Sequence, residues 1–171
     1  MNILRAVRER RSIRNFQKRN IPGELIDRLI EALIWAPSSG NLQARKFYFV
    51  KNEKIKNRIA AAALNQSFIA EAPLVIVGCT DSRISQKYGE RGVNLYSIQD
   101  VALSIMGMML VAHENSLGSV WVGAFREEEI ARILALPGHF RPVSIVPIGY
   151  PSKIPNPPPR VSKKDAVEVI E

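Results

Sequence analysis

One cysteine and two histidines in 171 residues exclude several familiar chemistries at the outset. Cys79, being alone, forms no internal disulfide, and within Leu74-Val75-Ile76-Val77-Gly78-Cys79 it reads as a small apolar strand residue, not a nucleophile. His113 and His139 with a single cysteine are too few for an ordinary zinc site, and carboxylates alone would have to hold magnesium or calcium, so metal catalysis is not expected. Glycine-rich phosphate loops are missing as well. No Gly-x-Gly-x-x-Gly follows a strand and there is no Gly-x-x-x-x-Gly-Lys-Ser/Thr, so a phosphate would have to be held by side chains. The N-terminus meets charge at Arg5 after Ile3 and Leu4, which leaves no secretory apolar segment, and no later apolar run approaches the roughly 18 residues of a membrane span. The expectation is a soluble, cytoplasmic protein without a membrane partner.

Acids are also in short supply, 16 against 24 Lys and Arg, for a formal net charge of +8. The excess is concentrated. Residues 5 to 19 hold seven cations (Arg5, Arg8, Arg10, Arg11, Arg14, Lys18, Arg19) against one anion, Glu9. Arginine forks donate in parallel to two phosphate oxygens and Ser12 adds a hydroxyl, so an anion is expected to dock there, although a solvated basic turn has the same composition.

A chain of this length, 46% hydrophobic, makes one globular domain that buries roughly 70% of its extended surface. A short amphipathic helix (Ile3, Leu4, Val7) opens it, and Pro22 starts a second with Leu25, Leu29, Leu33 and Ala36 at helical spacing. Pro37 stops that helix, and Ser38 to Asn41 form a loop of hydroxyls, an amide and a glycine, suited to a ligand or simply to a turn. Phe47 to Val50 reads as a strand, Asn52 as the cap of a helix carrying Ile55, Ile59 and Leu64, and Leu74 to Cys79 as a strand covered on both faces. From Asp100, read as an N-cap, to Ala112 nearly every residue is apolar, so that helix is expected to be central or shared between subunits, with Gly107 at a close helix crossing in a dimer interface. Gly118 is expected to stop the helix, Ser119 to Phe125 to form a strand with Trp121 in the core, and Glu127 to Glu129 to occupy the first turn of a further helix. The last strand is Val143 to Gly149, placed at an edge or ending near Pro147. His113 is read as favouring a helix dipole, and Glu90 with Arg91 as an ion pair. Residues 151–160 hold five prolines and predict an extended arm ending at Arg160, with 151–171 belonging to the same domain as 1–150. The fold class is α+β, three-layer α/β/α, with a mixed central sheet flanked by helices.

Order and spacing along the whole chain then matter more than any single motif. Arg10-Arg11-Ser12-Ile13-Arg14-Asn15-Phe16 and Ala36-Pro37-Ser38-Ser39-Gly40-Asn41-Leu42-Gln43 resemble the opening signatures of the nitroreductase family. Gln66 before Ala72-Pro73-Leu74, Tyr88-Gly89-Glu90-Arg91-Gly92, Gly118 to Phe125, and Ile148-Gly149-Tyr150-Pro151 with Pro159-Arg160 continue the series from about Leu4 to Lys164. The resemblance implies a nitroreductase-like fold, an intertwined homodimer with FMN at the subunit interface, and NADH or NADPH as electron donor. It implies that Arg10, Arg11, Ser12 and Arg160 hold the phosphate, with Lys163 as a further nearby cation. Arg14 would lie beside the pyrimidine edge of the flavin, Pro37, Ser38, Ser39 and Asn41 would come from the partner chain, Gln66, with Asn65 as the alternative, would lie near the pyrimidine edge, and Val122, Gly123 and Ala124 would supply backbone beside the ring.

No catalytic acid or nucleophile is then required, since hydride passes through flavin N5 by a ping-pong route to a nitroaromatic, quinone or similar flat acceptor. A guanidinium such as Arg14 stabilises charge developing around N1 and the C2 carbonyl, and a backbone N–H near Gly123 suits N5. A short chain leaves little room for a lid, which implies an open pocket. Other flavin chemistry on the same fold, such as reductive dehalogenation or substrate dehydrogenation, stays open, as does a flavin-binding protein without turnover. A basic nucleic-acid-binding module is the rival from another class; it lacks an aromatic stacking platform, Phe16 being the only aromatic among residues 5 to 19, so no nucleic-acid partner is expected.

Overall fold

The computed structural model describes residues 2–171 and contains four strands and eight α-helices among them. Strands β1 (Arg45–Val50), β2 (Leu74–Asp81), β3 (Gly118–Ser119) and β4 (Phe140–Gly149) form one sheet in the order β1-β2-β4-β3. All three ladders are antiparallel, and the parallel element is a single bridge between Ser12 and Ser119. Helices are α1 (Ile3–Glu9), α2 (Gly23–Ile34), α3 (Glu53–Ala62), α4 (Phe68–Glu71), α5 (Ser85–Arg91), α6 (Ser97–Glu114), α7 (Glu127–Ile133) and α8 (Lys163–Ala166).

Strand β2 is buried at every position, and its side chains alternate between two separate cores. Leu74 and Ile76 join Val146 and Ile148 under α2 and α6, while Val75, Val77 and Cys79 join Ile145 under α3, α4 and α7. The sheet is therefore the middle of three layers, the α/β/α arrangement expected from interleaved elements. Burial without a partner pushes the Cys79 thiol up to about 12, so it is an inert core residue.

Local signals account for most element boundaries. Asn52 accepts from the Ile55 N–H and caps α3, and Glu127, Glu128 and Glu129 fill the first turn of α7. Leu64 lies beyond α3, in a turn where it and Asn65 have φ of 58° and 60°. Helix α6 continues from α5 through a π-helical turn, Gly92–Tyr96, and the whole stretch Ser82–Glu114 is long and apolar enough to cross a membrane by length and composition alone. Here one face of it packs as a core helix against α2 and the sheet, and Leu103 and Met106 face outward.

Several expectations are corrected. Gly107 faces Ala32 O of α2, 3.7 Å from where a Cβ would sit, so its helix crossing is within this chain. The left-handed residue after α6 is Ser116 (φ 62°); Gly118 lies in β3, where a Cβ would strike Ile13. Of the 119–125 run only Ser119 lies in a strand, as the end of β3, followed by one bridge from Val122 to Ile145, because the chain leaves the sheet to present residues 121–124. Trp121 is consequently exposed. Pro147 sits in β4, an inner strand, and is tolerated for a specific reason. Ile145 N–H donates toward Val122, so the Pro147 nitrogen two residues on points to the same side, where the β3 ladder has lapsed. Arg91 donates to Tyr96 OH at 2.9 Å instead of pairing with Glu90.

Residues 12–17 are laced between two neighbours. Ile13 N–H donates to Ser119 O at 3.0 Å, Gln17 N–H to Tyr150 O at 2.8 Å, and Ser152 N–H to Asn15 O at 3.0 Å. The Pro-rich arm beyond residue 151 is exposed and extended apart from α8, and it starts beside the arginine segment.

Candidate functional site

The arginine segment begins where α1 ends. Arg11 Nη1 donates to Arg8 O (2.7 Å) and Arg10 O (2.9 Å), so Arg11 caps the C-terminal end of α1. Arg10 lies beside a cavity of about 260 Å³, walled by Ile13, Leu117, Pro151 and Ile154 and also lined by Glu9, His113 and Ser119. Its Nε and Nη1 are buried with no hydrogen-bond partner. Burial, then the charges of Arg160 and Arg11, hold the Arg10 guanidinium below the usual arginine range. Buried guanidinium nitrogens without a partner are costly, and an oxyanion relieves that cost. Ser12 is half-buried at its bridge to Ser119 and Arg160 is exposed on the arm, donating to Pro159 O. The structure thus brings Arg10, Arg11 and Arg160 into one electrostatic neighbourhood, a donor set that fits a phosphate.

A second group lies where α3 hands over to α4. Gln66 Nε2 donates to Ala63 O (2.8 Å) and Ala124 O (3.2 Å), which ties the turn after α3 to the 122–124 segment. Val122 is anchored by reciprocal backbone bonds with Ile145, whereas Gly123 and Ala124 are exposed. The Arg14 guanidinium is 5.8 Å from the centroid of Phe68, beside Gln66 in sequence. These residues offer exposed backbone, a cation and an amide on one stretch of surface.

The third group, Pro37, Ser38, Ser39 and Asn41, is a loop under strain. Gly40, Asn41 and Gln43 have φ of 56°, 54° and 52°, and left-handed backbone costs about 1–2 kcal/mol per ordinary residue. Two residues hold it in place. Arg45 on β1 donates to Pro37 O (2.9 Å) and to Ala36 O, so its guanidinium gathers the carbonyls that end α2. Asp100, only 2% exposed inside α6, accepts from both Ser39 N and Ser39 Oγ at 3.0 Å. Asp100 is therefore not the N-cap of α6; it caps this loop instead. Its other oxygen, Oδ2, is buried without a partner. Burial lowers the Arg45 pKa while Asp100 raises it. Asp100→Ala is expected to lower hydrogen-exchange protection of the Ser39 amide at least tenfold, since bonds to a charged group contribute about 1.5–3 kcal/mol.

Helix α6 separates the first and third groups. Asp100 touches the loop, His113 lines the Arg10 cavity, and at about 1.5 Å per residue they stand roughly 20 Å apart along the helix axis. One chain does not bring Ser38 and Ser39 to Arg10.

Arg45, Asp100, His113 and Ser119 are absent from the residues that motif reading singles out for the site. Arg45 and Ser119 carry no local signal, Arg45 standing beside Lys46 at the head of β1 and Ser119 being one small residue before an apolar run. Burial holds the His113 pKa below the usual histidine value; Glu9 raises it, and Arg10 and Arg11 lower it further. Among the described residues no three His, Cys, Asp or Glu side chains gather as metal ligands.

The sequence and fold are shared with known proteins. The nitroreductase family model matches residues 7–67 and 60–150. The chain belongs to the nitroreductase family. A relative from Methanothermobacter thermautotrophicus, provisionally named NADH dehydrogenase/NAD(P)H nitroreductase, is 33% identical over 159 residues, covering 91% of this chain and 80% of the relative. The FMN reductase (NADPH) of Bacillus subtilis is 25% identical over 177 residues, covering 95% of this chain and 71% of the relative. The solved structure of B. megaterium NfrA2 superposes with a TM-score of 0.91 at 26% identity, covering 98% of this nitroreductase-family chain and 74% of the other.

Proposed function

We propose that this chain is an FMN-dependent oxidoreductase that takes hydride from NADH or NADPH and passes it to nitroaromatics, quinones or similar flat acceptors by a ping-pong route. The observation that carries the reading is Arg10, a half-buried side chain whose buried Nε and Nη1 lack partners beside a cavity, with Arg11 and Arg160 at hand. Family membership and relatives named as flavin and NAD(P)H reductases support it. When bound, FMN supplies reversible hydride acceptance at N5, which no side chain offers.

The chain's residues then bind and orient. Arg10, Ser12 and Arg160 would hold the phosphate, and Arg11, whose Nη1 serves α1, would add field more than direct bonds. Gln66 has its amide N–H engaged with carbonyls, so its Oε1 would accept from the pyrimidine edge. Arg14 would stabilise negative charge there, and the exposed backbone of Gly123 and Ala124, held by Val122, would lie beside the ring.

Pro37, Ser38, Ser39 and Asn41 would complete the site from a second copy of the chain. Two features support a homodimer. One is the roughly 20 Å of α6 between the loop and the phosphate residues of one chain. The other is the exposed apolar surface on the helical layer: Ile3, Leu4 and Val7 of α1, Ile30 and Ile34 of α2, and Leu103 and Met106 of α6. The arm, 151–171, would work as part of the same unit through Arg160.

The test is a spectrum of the FMN-reconstituted protein, recorded anaerobically before and after NADH or NADPH. Bleaching of the flavin band is expected, with recovery on adding a quinone; a protein that retains no flavin after reconstitution overturns the reading.

A further inference from the structure

Six buried side-chain polar atoms lack a partner among the described residues, and four of them belong to just three residues lining the Arg10 cavity: Arg10 Nε and Nη1, His113 Nε2 and Ser119 Oγ. Such atoms are rare in a folded chain, and three residues that carry them line one cavity, which points to an occupant there. Ser119 is 2% exposed, and its position is fixed because its carbonyl accepts from Ile13 N–H. His113 stands in the last turn of α6, at the negative end of the helix dipole. Backbone N–H groups of a helix start are not available at that end, so an anion held there needs side-chain donors.

We propose that His113 and Ser119 are ligands of the cofactor's phosphate, and that proton uptake by His113 makes phosphate retention depend on pH. This rests on the FMN reading above. The charged groups facing the imidazole are Glu9 from α1, which favours its protonation, and Arg10 and Arg11, which oppose it together with burial. With the cavity lacking an anion, burial and the two arginines keep the ring neutral near pH 7. A phosphate dianion reverses that balance and draws a proton onto the imidazole.

The sign follows. The ring's pKa is low in the free protein and raised in the complex, so FMN binds more tightly as pH falls from 8 through the histidine range. Below about pH 6 the phosphate itself takes up a proton and binding weakens again. Riboflavin, which has no phosphate, shows neither limb.

Quenching of flavin fluorescence tests this with FMN and riboflavin between pH 5.5 and 8.5. For the unmodified protein the Kd for FMN is expected to fall three- to tenfold from pH 8 to pH 6.5. His113→Asn should abolish that fall, and Ser119→Ala should raise Kd several-fold at every pH while keeping it. The ring-proton resonance of His113 in the unmodified protein gives a reading free of folding effects: its pKa must rise on adding FMN and not on adding riboflavin. If Arg10→Ala weakens FMN while both other variants and the resonance stay unchanged, the inference falls and the FMN reading stands. If FMN binds no better than riboflavin to any form, both fall.

Discussion

Replacing Arg10 with alanine should raise the Kd for FMN by roughly 30- to 150-fold while leaving the cofactor-free protein as stable as before, or more so. The two effects share one cause. In the free chain the Arg10 side chain is half-buried with Nε and Nη1 unsatisfied, and removing buried donors that lack a partner takes away a cost. In the FMN-loaded protein as proposed, the same group would make charge-assisted bonds to phosphate, and losing them would cost about 2–3 kcal/mol. Thermal melts with and without FMN separate the two, because the variant should melt no lower without FMN and gain far less from it. A variant that melts lower yet keeps its FMN affinity would make Arg10 a structural residue and remove the basis of the phosphate assignment.

Gly118→Ala is the substitution expected to harm stability most. A Cβ there would lie 2.5 Å from Ile13 Cγ1 and 2.7 Å from Ile13 Cβ, and the second atom is not the loose end of a side chain. Ile13 itself is nearly fully buried and its N–H is committed to Ser119 O, so relief requires the 12–17 segment to shift. Overpacking of this kind costs about 3 kcal/mol, or roughly 6–12 °C in Tm for a chain of this size. The shift would also displace Ser12 and Arg14, so flavin affinity should fall with stability. Combining it with Ile13→Ala should cost less than the sum of the two single changes, since each relieves the other. Strict additivity in melting experiments would mean that the contact is not what fixes the segment.

Elements with local causes were legible from residues alone. The Leu25, Leu29, Leu33 spacing marks α2, Asn52 marks the start of α3, the acidic triplet marks α7, and the unbroken apolar run marks β2 as buried on both faces. What escaped depends on partners distant in sequence. Asp100 looks like a cap because it precedes an apolar helix, yet its partner is Ser39, on a loop sixty residues earlier. Pro147 looks like an edge residue until the lapse of the β3 ladder beside it is known. The 119–125 run has strand composition, but Trp121 and Gly123 leave the sheet after only two paired residues. At the candidate site, motif order singled out the arginine segment and the Ser38–Asn41 loop. The residues that anchor or complete them, Arg45, Asp100, His113 and Ser119, are visible only once side chains meet.

The arm after residue 151 adds a thermodynamic consequence. It carries Arg160 to the neighbourhood of Arg10, yet its own apolar residues, Val161, Val167, Val169 and Ile170, are covered by nothing in this chain. A segment in that condition is ordered at little gain until a second surface meets it. Once one does, Arg160 is held where the anion needs it, and an anion that engages Arg160 holds the arm ready for that surface. In the proposed homodimer reciprocity would bind the two equilibria: whatever factor the neighbouring subunit contributed to keeping the cofactor, the cofactor would return to keeping the subunit.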